Sequence, residues 1–241
     1  MLSPAVINGS RPATLKDFNG DKRKFYKYLC IKKGLTKGVM LIKGLPRSGK
    51  TLFAIHHAKF LRDEFGLPVT MDFKPEASFG PYSMFDETVL LEELANVTSI
   101  AKKSAKWNVS QEKTDELAYK LKLYGHTVVL DEGTRWLDRR RSVSNVNLLI
   151  NDIVKQWAHY DILLMVINHF QDELDPRFLR YVEGQGTIVS CSWGMKWPET
   201  GEYQIKNTAF GEKLSMTIYG PNVYGDYNSF NPIAMRAKVK L

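Results

Sequence analysis

The chain has only two cysteines, Cys30 and Cys191, far apart in sequence. That excludes a disulfide framework and a cysteine-based zinc motif, and it fits a reducing compartment. Long apolar runs are missing too. The longest, Ile162 to Ile167, has six residues, against the ~20 needed to span a bilayer. No integral membrane segment and no signal peptide are expected. There are no internal repeats and no low-complexity stretch. Negative charge is in deficit: 26 Asp and Glu face 34 Lys and Arg, a net charge of +8. Such a surplus points to a polyanionic partner, nucleic acid first and membrane surface second. The length, 241 residues, suits one large domain or two small ones.

Against this background one stretch stands out. Gly44-Leu45-Pro46-Arg47-Ser48-Gly49-Lys50-Thr51 matches G-x-x-x-x-G-K-[ST] without gap or substitution. The apolar run Val39 to Ile42 precedes it, and a helical pattern starting near Leu52 follows. That is the strand–loop–helix setting the motif requires. The chemistry explains the spacing. Polyphosphate needs many donors at close range, so Gly44 and Gly49 allow a tight turn whose N–H groups point inward. The helix dipole adds positive potential. Gly44, Arg47, Ser48, Gly49, Lys50, Thr51 and Leu52 are the expected nucleotide-binding residues. Lys50 is expected on the β- and γ-phosphates of ATP, and the Thr51 hydroxyl on Mg²⁺.

Hydrolysis needs an acid for the metal shell and a base for the attacking water. Asp131 and Glu132, ending the apolar strand Thr127 to Glu132, fit these two roles. The strand Asp161 to Ile167 is expected between the Lys50 strand and the Asp131 strand. Its end would aim Asn168 at the γ-phosphate as a sensor, Gln171 being the other candidate; the structural alternative for Asn168 is a loop cap. Arg135, Arg139, Arg140, Arg141, Arg177 and Arg180 are candidates for an arginine supplied to a neighbouring subunit's site.

Hydrophobic periodicity completes the outline. A helix after the loop presents Ala54, Ala58, Leu61 and Phe65, with Gly66 as C-cap. Residues 68–73 read as a strand and 74–84 as a loop or lid. Helices are expected over about 88–105, 110–125, 144–157 and 176–182, a strand over 187–193, and a hairpin from Tyr203–Lys206 and Leu214–Tyr219. The order βαβ(αα)βαβαβ predicts an α/β fold, a mostly parallel central sheet with helices on both faces and a small C-terminal β-hairpin extension. Three segments follow: a basic N-terminal arm at 1–37, the core at 38–193, and the hairpin and tail at 194–241. The arm carries Lys22, Arg23, Lys24, Lys27, Lys32, Lys33 and Lys37 among Phe25, Tyr26 and Tyr28. It is expected either to grip nucleic acid or to pack on a neighbouring subunit.

These residues resemble a family. The loop Gly44 to Leu52, the strand end Leu130-Asp131-Glu132-Gly133, and the block from Tyr160 through Asn168-His169-Phe170-Gln171 to Arg177 are similar to P-loop ATPases with an added sheet strand and a catalytic glutamate. Within that class they resemble the zonular-occludens-toxin-like branch and the HerA/FtsK DNA-pumping ATPases, which include viral DNA-packaging enzymes. The resemblance implies a RecA-like P-loop NTPase fold, a ring homo-oligomer (pentamer or hexamer), and ATP-driven translocation of double-stranded DNA into a capsid. A capsid vertex or portal protein is an implied partner, and the host cytoplasm the implied location. The lack of a spanning helix favours packaging over extrusion. Rivals are an assembly/extrusion ATPase docked on a membrane protein, a small nucleotide kinase, and a non-hydrolysing assembly factor. A GTPase is disfavoured because no N-K-x-D motif occurs.

Overall fold

The computed structural model describes residues 15–32, 34–86, 88–93, 95–96, 121–141, 151, 154, 160–193, 200–207 and 212–219. Eight strands form one sheet: β1 (Gly38–Lys43), β2 (Val69–Met71), β3 (Ser83–Met84), β4 (Thr127–Leu130), β5 (Leu163–Asn168), β6 (Thr187–Trp193), β7 (Thr200–Asn207) and β8 (Glu212–Tyr219). Their order is β3-β2-β4-β5-β1-β6-β7-β8. Strands β1 to β6 are paired in parallel, and β7 and β8 continue the sheet antiparallel. The expected insertion of β5 between β1 and β4 is present, with Lys43 opposite Asn168 and Leu130 opposite Val166.

Parallel strands covered on both faces read as continuous apolar runs, because successive side chains alternate between two cores. In β1, Met40 and Ile42 join one core while Val39 and Leu41 join the other. In β5, Leu163, Met165 and Ile167 face the first core, and Leu164 and Val166 the second.

Four helices lie wholly within the described residues: α1 (Lys22–Lys32), α2 (Lys50–Phe65), the short α3 (Thr134–Leu137) and α4 (Pro176–Gln185). Helix α2 ends where expected, at Gly66, whose left-handed φ of 69° lets its N–H reach the Arg62 carbonyl. Its buried face is wider than the predicted stripe and includes Leu52, Phe53, Ile55 and His57. The reason is tertiary: α1 covers one flank through Tyr26, Leu29 and Cys30, and Tyr203 of β7 packs on Phe53. The basic arm is therefore docked on its own chain from residue 22 onward. Arg23 and Lys27 both pair with Glu64 of α2.

Several elements differ from the sequence reading, which assigned neither α1 nor α3. Residues 77–79 form a 3-10 turn and Ser83–Met84 adds a short parallel edge strand, where only a loop or lid was expected. Strand β4 stops at Leu130, so Asp131 and Glu132 lie in the turn after it. Helix α4 runs to Gln185 rather than 182, capped by the buried Asp175. Residues 88–93, 151 and 154 are helical; most of the expected helices at 88–105, 110–125 and 144–157, and the tail after 219, lie outside the described residues. No described helix is long and apolar enough to cross a membrane.

Candidate nucleotide-phosphate site

The site lies at the carboxyl ends of β1, β4, β5 and β6, the place where open α/β sheets bind ligands. Between β1 and α2 the loop Gly44 to Gly49 folds tightly. Gly49 adopts φ 84° directly before Lys50, and Arg47 is held at φ 62°. A left-handed non-glycine residue is strained, and such strain gathers at functional loops. Gly44 is required by close approach: a Cβ there would stand 2.5 Å from the Cys191 carbonyl oxygen and 2.6 Å from Ser48 Oγ. Strand β6 thus forms the wall behind the loop.

Lys50 is 6% exposed, yet its ammonium is fully engaged. It donates to the carbonyls of Gly44 (2.9 Å) and Leu45 (2.8 Å), and stands 2.9 Å from His169 Nδ1. Burial lowers its pKa, while Cys191 and the carboxylate of Asp131 oppose the shift. The Asp131 carboxylate thus acts electrostatically on the loop lysine. His169 is shifted downward by desolvation and then by Lys50, with Glu132 and Glu173 acting in the opposite sense. A neutral imidazole accepting from the lysine satisfies these relations.

The acid turn is unusual. Glu132 has φ 52°, its side chain is exposed, and its N–H donates to Asp131 Oδ1 at 3.0 Å. Gly133 then donates to the Ile167 carbonyl at 2.7 Å, which clamps the turn onto the end of β5. Asn168 is 3% exposed, and its amide donates to the Phe170 carbonyl. It ties down its own turn, while the next residue, His169, reaches the lysine. Gln171 accepts from Nζ of Lys43, the last residue of β1.

Sequence reasoning passed over two contributors. Asp72, just past β2, accepts from the Asp131 backbone N–H and from the indole of Trp136, each at 2.8 Å. Tyr203 donates to the Gly49 carbonyl at 3.2 Å, bracing the loop from the hairpin. A carboxylate ending an apolar strand was the available signal for Asp72; nothing local marks Tyr203.

The candidate arginines divide. Arg177 is bound by its own chain, its guanidinium on both carboxylate oxygens of Asp175 at 2.8 and 3.1 Å. Burial raises the Asp175 pKa, but the Arg177 hydrogen bonds outweigh it and hold the carboxyl low. Arg140 pairs with Asp138, and Arg139 donates weakly to the Asp172 carbonyl at 3.4 Å. Arg135 lies over the Trp136 ring, and Arg180 is exposed on α4. Arg141 falls in a 3-10 turn; its side chain lies outside the described residues.

The residues fit a bound polyphosphate with Mg²⁺. Ser48 Oγ is buried with no hydrogen-bond partner, at a loop whose close approach a Cβ would block. Thr51 opens α2 beside Lys50, and Asp131 is within electrostatic reach of that lysine. Hydroxyl and carboxylate oxygens are the donors a small hard cation takes.

No protein-family model and no curated protein matches this sequence. Solved structures do resemble it. The N-terminal domain of zonular occludens toxin from Neisseria meningitidis aligns with TM-score 0.50 and 17% identity, over 80% of this chain and 100% of that one. A structure described as an ATPase aligns with TM-score 0.50 and 11% identity, over 77% of this chain and 80% of that one. The genome-packaging NTPase B204 from Sulfolobus turreted icosahedral virus 2, in complex with AMP, gives TM-score 0.48 and 9% identity over 75% and 96%. Identity this low bears on fold alone: the mostly parallel sheet with helices is a RecA-like P-loop NTPase fold.

Proposed function

We propose that this chain hydrolyses ATP and uses the reaction to move double-stranded DNA, as the motor of viral genome packaging. The observation that carries the hydrolytic part is the placing of the Lys50 loop after β1 and the Asp131–Glu132 turn after β4, on either side of the inserted strand β5. In this reading Lys50 and the loop N–H groups hold the β- and γ-phosphates. Thr51 and Asp131 would hold Mg²⁺, which when bound would supply positive charge to the phosphate oxygens. Glu132 takes a proton from the attacking water as its oxygen bonds to the γ-phosphorus. The bond to the bridging oxygen breaks, and ADP and phosphate leave. His169, touching Lys50, is assigned the sensing of the γ-phosphate, and Asn168 the shaping of the turn that presents it.

The motor part is supported by the inserted-strand order, the Asp-Glu pair and the net charge of +8. It implies a ring of identical subunits, with an arginine of one completing the site of the next. Because Arg177 is held by Asp175 and Arg140 pairs with Asp138, the exposed Arg135, Arg139 and Arg180 are the better candidates.

The test is phosphate release by wild type and by Glu132→Gln, each with and without duplex DNA. Turnover stimulated by DNA and lost in the variant is the expected result. A fully active variant overturns the role of Glu132, and DNA-independent turnover overturns the motor. Transfer of phosphate to a nucleoside instead of water would make the protein a kinase.

A further inference from the structure

Glu132 is held in a left-handed backbone conformation, φ 52°, that a non-glycine residue adopts only when its surroundings impose it. The surroundings can be named. On one side Gly133 N–H is fixed to the Ile167 carbonyl. On the other stands Asp72, 8% exposed, at the end of the neighbouring strand. Its Oδ1 accepts from the Asp131 N–H and its Oδ2 from Trp136 Nε1–H, so a single carboxylate holds both the start of the turn and the short helix α3 that follows it. Trp136 is itself fixed, 5% exposed and edge-on to Phe85 at 5.2 Å between ring centres.

We propose that Asp72 is a positioning residue for hydrolysis: by accepting from Asp131 N–H and Trp136 Nε1–H together, it holds the Asp131–Glu132 turn in the conformation that presents Glu132 to the phosphate site. The inference rests on the reading of Glu132 as the base. It adds a residue that acts through that turn. A carboxylate is the group for the task, since each oxygen accepts and neither donates. An asparagine has one acceptor oxygen, and its NH₂ would face the second N–H donor. Without the two anchors the turn relaxes toward negative φ, and the Glu132 side chain leaves its position.

The experiment uses the full chain. Turnover is measured per nucleotide site, the sites being counted by titration with a fluorescent non-hydrolysable ATP analogue. Asp72→Asn is expected to lower kcat per site about tenfold, a partial loss of general-base catalysis, while the analogue Kd changes by less than about twofold. Trp136→Phe, which removes one N–H, is expected to give a smaller loss of the same kind, and it carries the test should Asp72→Asn fold poorly. In a Glu132→Gln background, Asp72→Asn is expected to cost nothing further, because both changes act through one group. Wild-type kcat per site in Asp72→Asn, an equal loss in the Glu132→Gln background, or a Kd that weakens as much as kcat falls would each overturn the inference. Full turnover by Glu132→Gln alone would instead remove the reading beneath it.

Discussion

The ammonium of Lys50 lies 2.9 Å from Nδ1 of His169, joining the first turn of α2 to the residue just past β5. Two residues separated by more than a hundred positions are thus brought to one point by the pairing of β1 with β5. The contact requires a neutral imidazole, since a protonated ring would have no acceptor to offer.

A pH effect follows from it. The His169 pKa lies below the usual imidazole value, chiefly through desolvation and then Lys50. Protonation therefore sets in at lower pH than for a free imidazole, and it places a second cation against Lys50. The kcat/KM for ATP is expected to fall on that acid side, and the limb attributable to this group to disappear in His169→Gln. His169→Ala is expected to lower kcat about tenfold or more at neutral pH, in the range typical of a lost contact to a charged group. Unchanged kcat in both variants would show that the imidazole only packs against the lysine.

Stability should depend on a different histidine. His57 of α2 is fully buried, accepts from the Tyr26 hydroxyl at 2.7 Å and donates to the Leu35 carbonyl at 2.9 Å. Burial lowers its pKa to about 4. In the unfolded chain the ring takes its proton near pH 6.5, so between about 6.5 and 4 the unfolded state binds more protons. Stability is complete above that window, declines as the pH falls through it, and levels off below. The decline amounts to about 3 kcal/mol at most. Thermal unfolding from pH 7 to 4 should show this slope in wild type and a flatter one in His57→Gln; parallel slopes would refute it.

Gly133 is a steric prediction. Its φ of −50° suits any residue, yet a Cβ would stand 2.4 Å from Val166 Cγ1 and 3.1 Å from Leu174 Cδ2. Gly133→Ala should destabilise the fold by about 1–3 kcal/mol. Shortening the obstructing side chain with Val166→Ala should make the second change less costly in the double variant than in isolation, as denaturant titrations would reveal.

Tyr203→Phe removes the hydroxyl that donates to the Gly49 carbonyl but keeps the ring packed on Phe53. The expected loss is about 1 kcal/mol of stability, with a weaker affinity for ATP because Gly49 shapes the loop. Nucleotide titration and chemical denaturation together decide it. Identical values for both proteins would mean that the hairpin leaves the loop unaffected.

Much was legible in the linear chain because its determinants are local. Backbone N–H groups can wrap phosphate only if glycines occur at set intervals, so Gly44, Gly49 and Lys50 declare themselves. Strands buried on both faces must be apolar throughout, so β1, β4 and β5 stand out, and Gly66 marks the end of α2 through its own backbone freedom. The partners that make these parts into a site were not legible. Asp72 meets Asp131 across 59 positions, Tyr203 meets Gly49 across 154, and His169 rather than Asn168 reaches Lys50 across 119. Which of two adjacent polar residues faces the lysine is decided by how the chain turns after β5, where the Asn168 amide is drawn back to the Phe170 carbonyl. Glycine spacing and apolar runs act within a few residues and are written in order; hydrogen bonds between strand ends exist only once the sheet has set its neighbours, and that ordering belongs to the folded molecule.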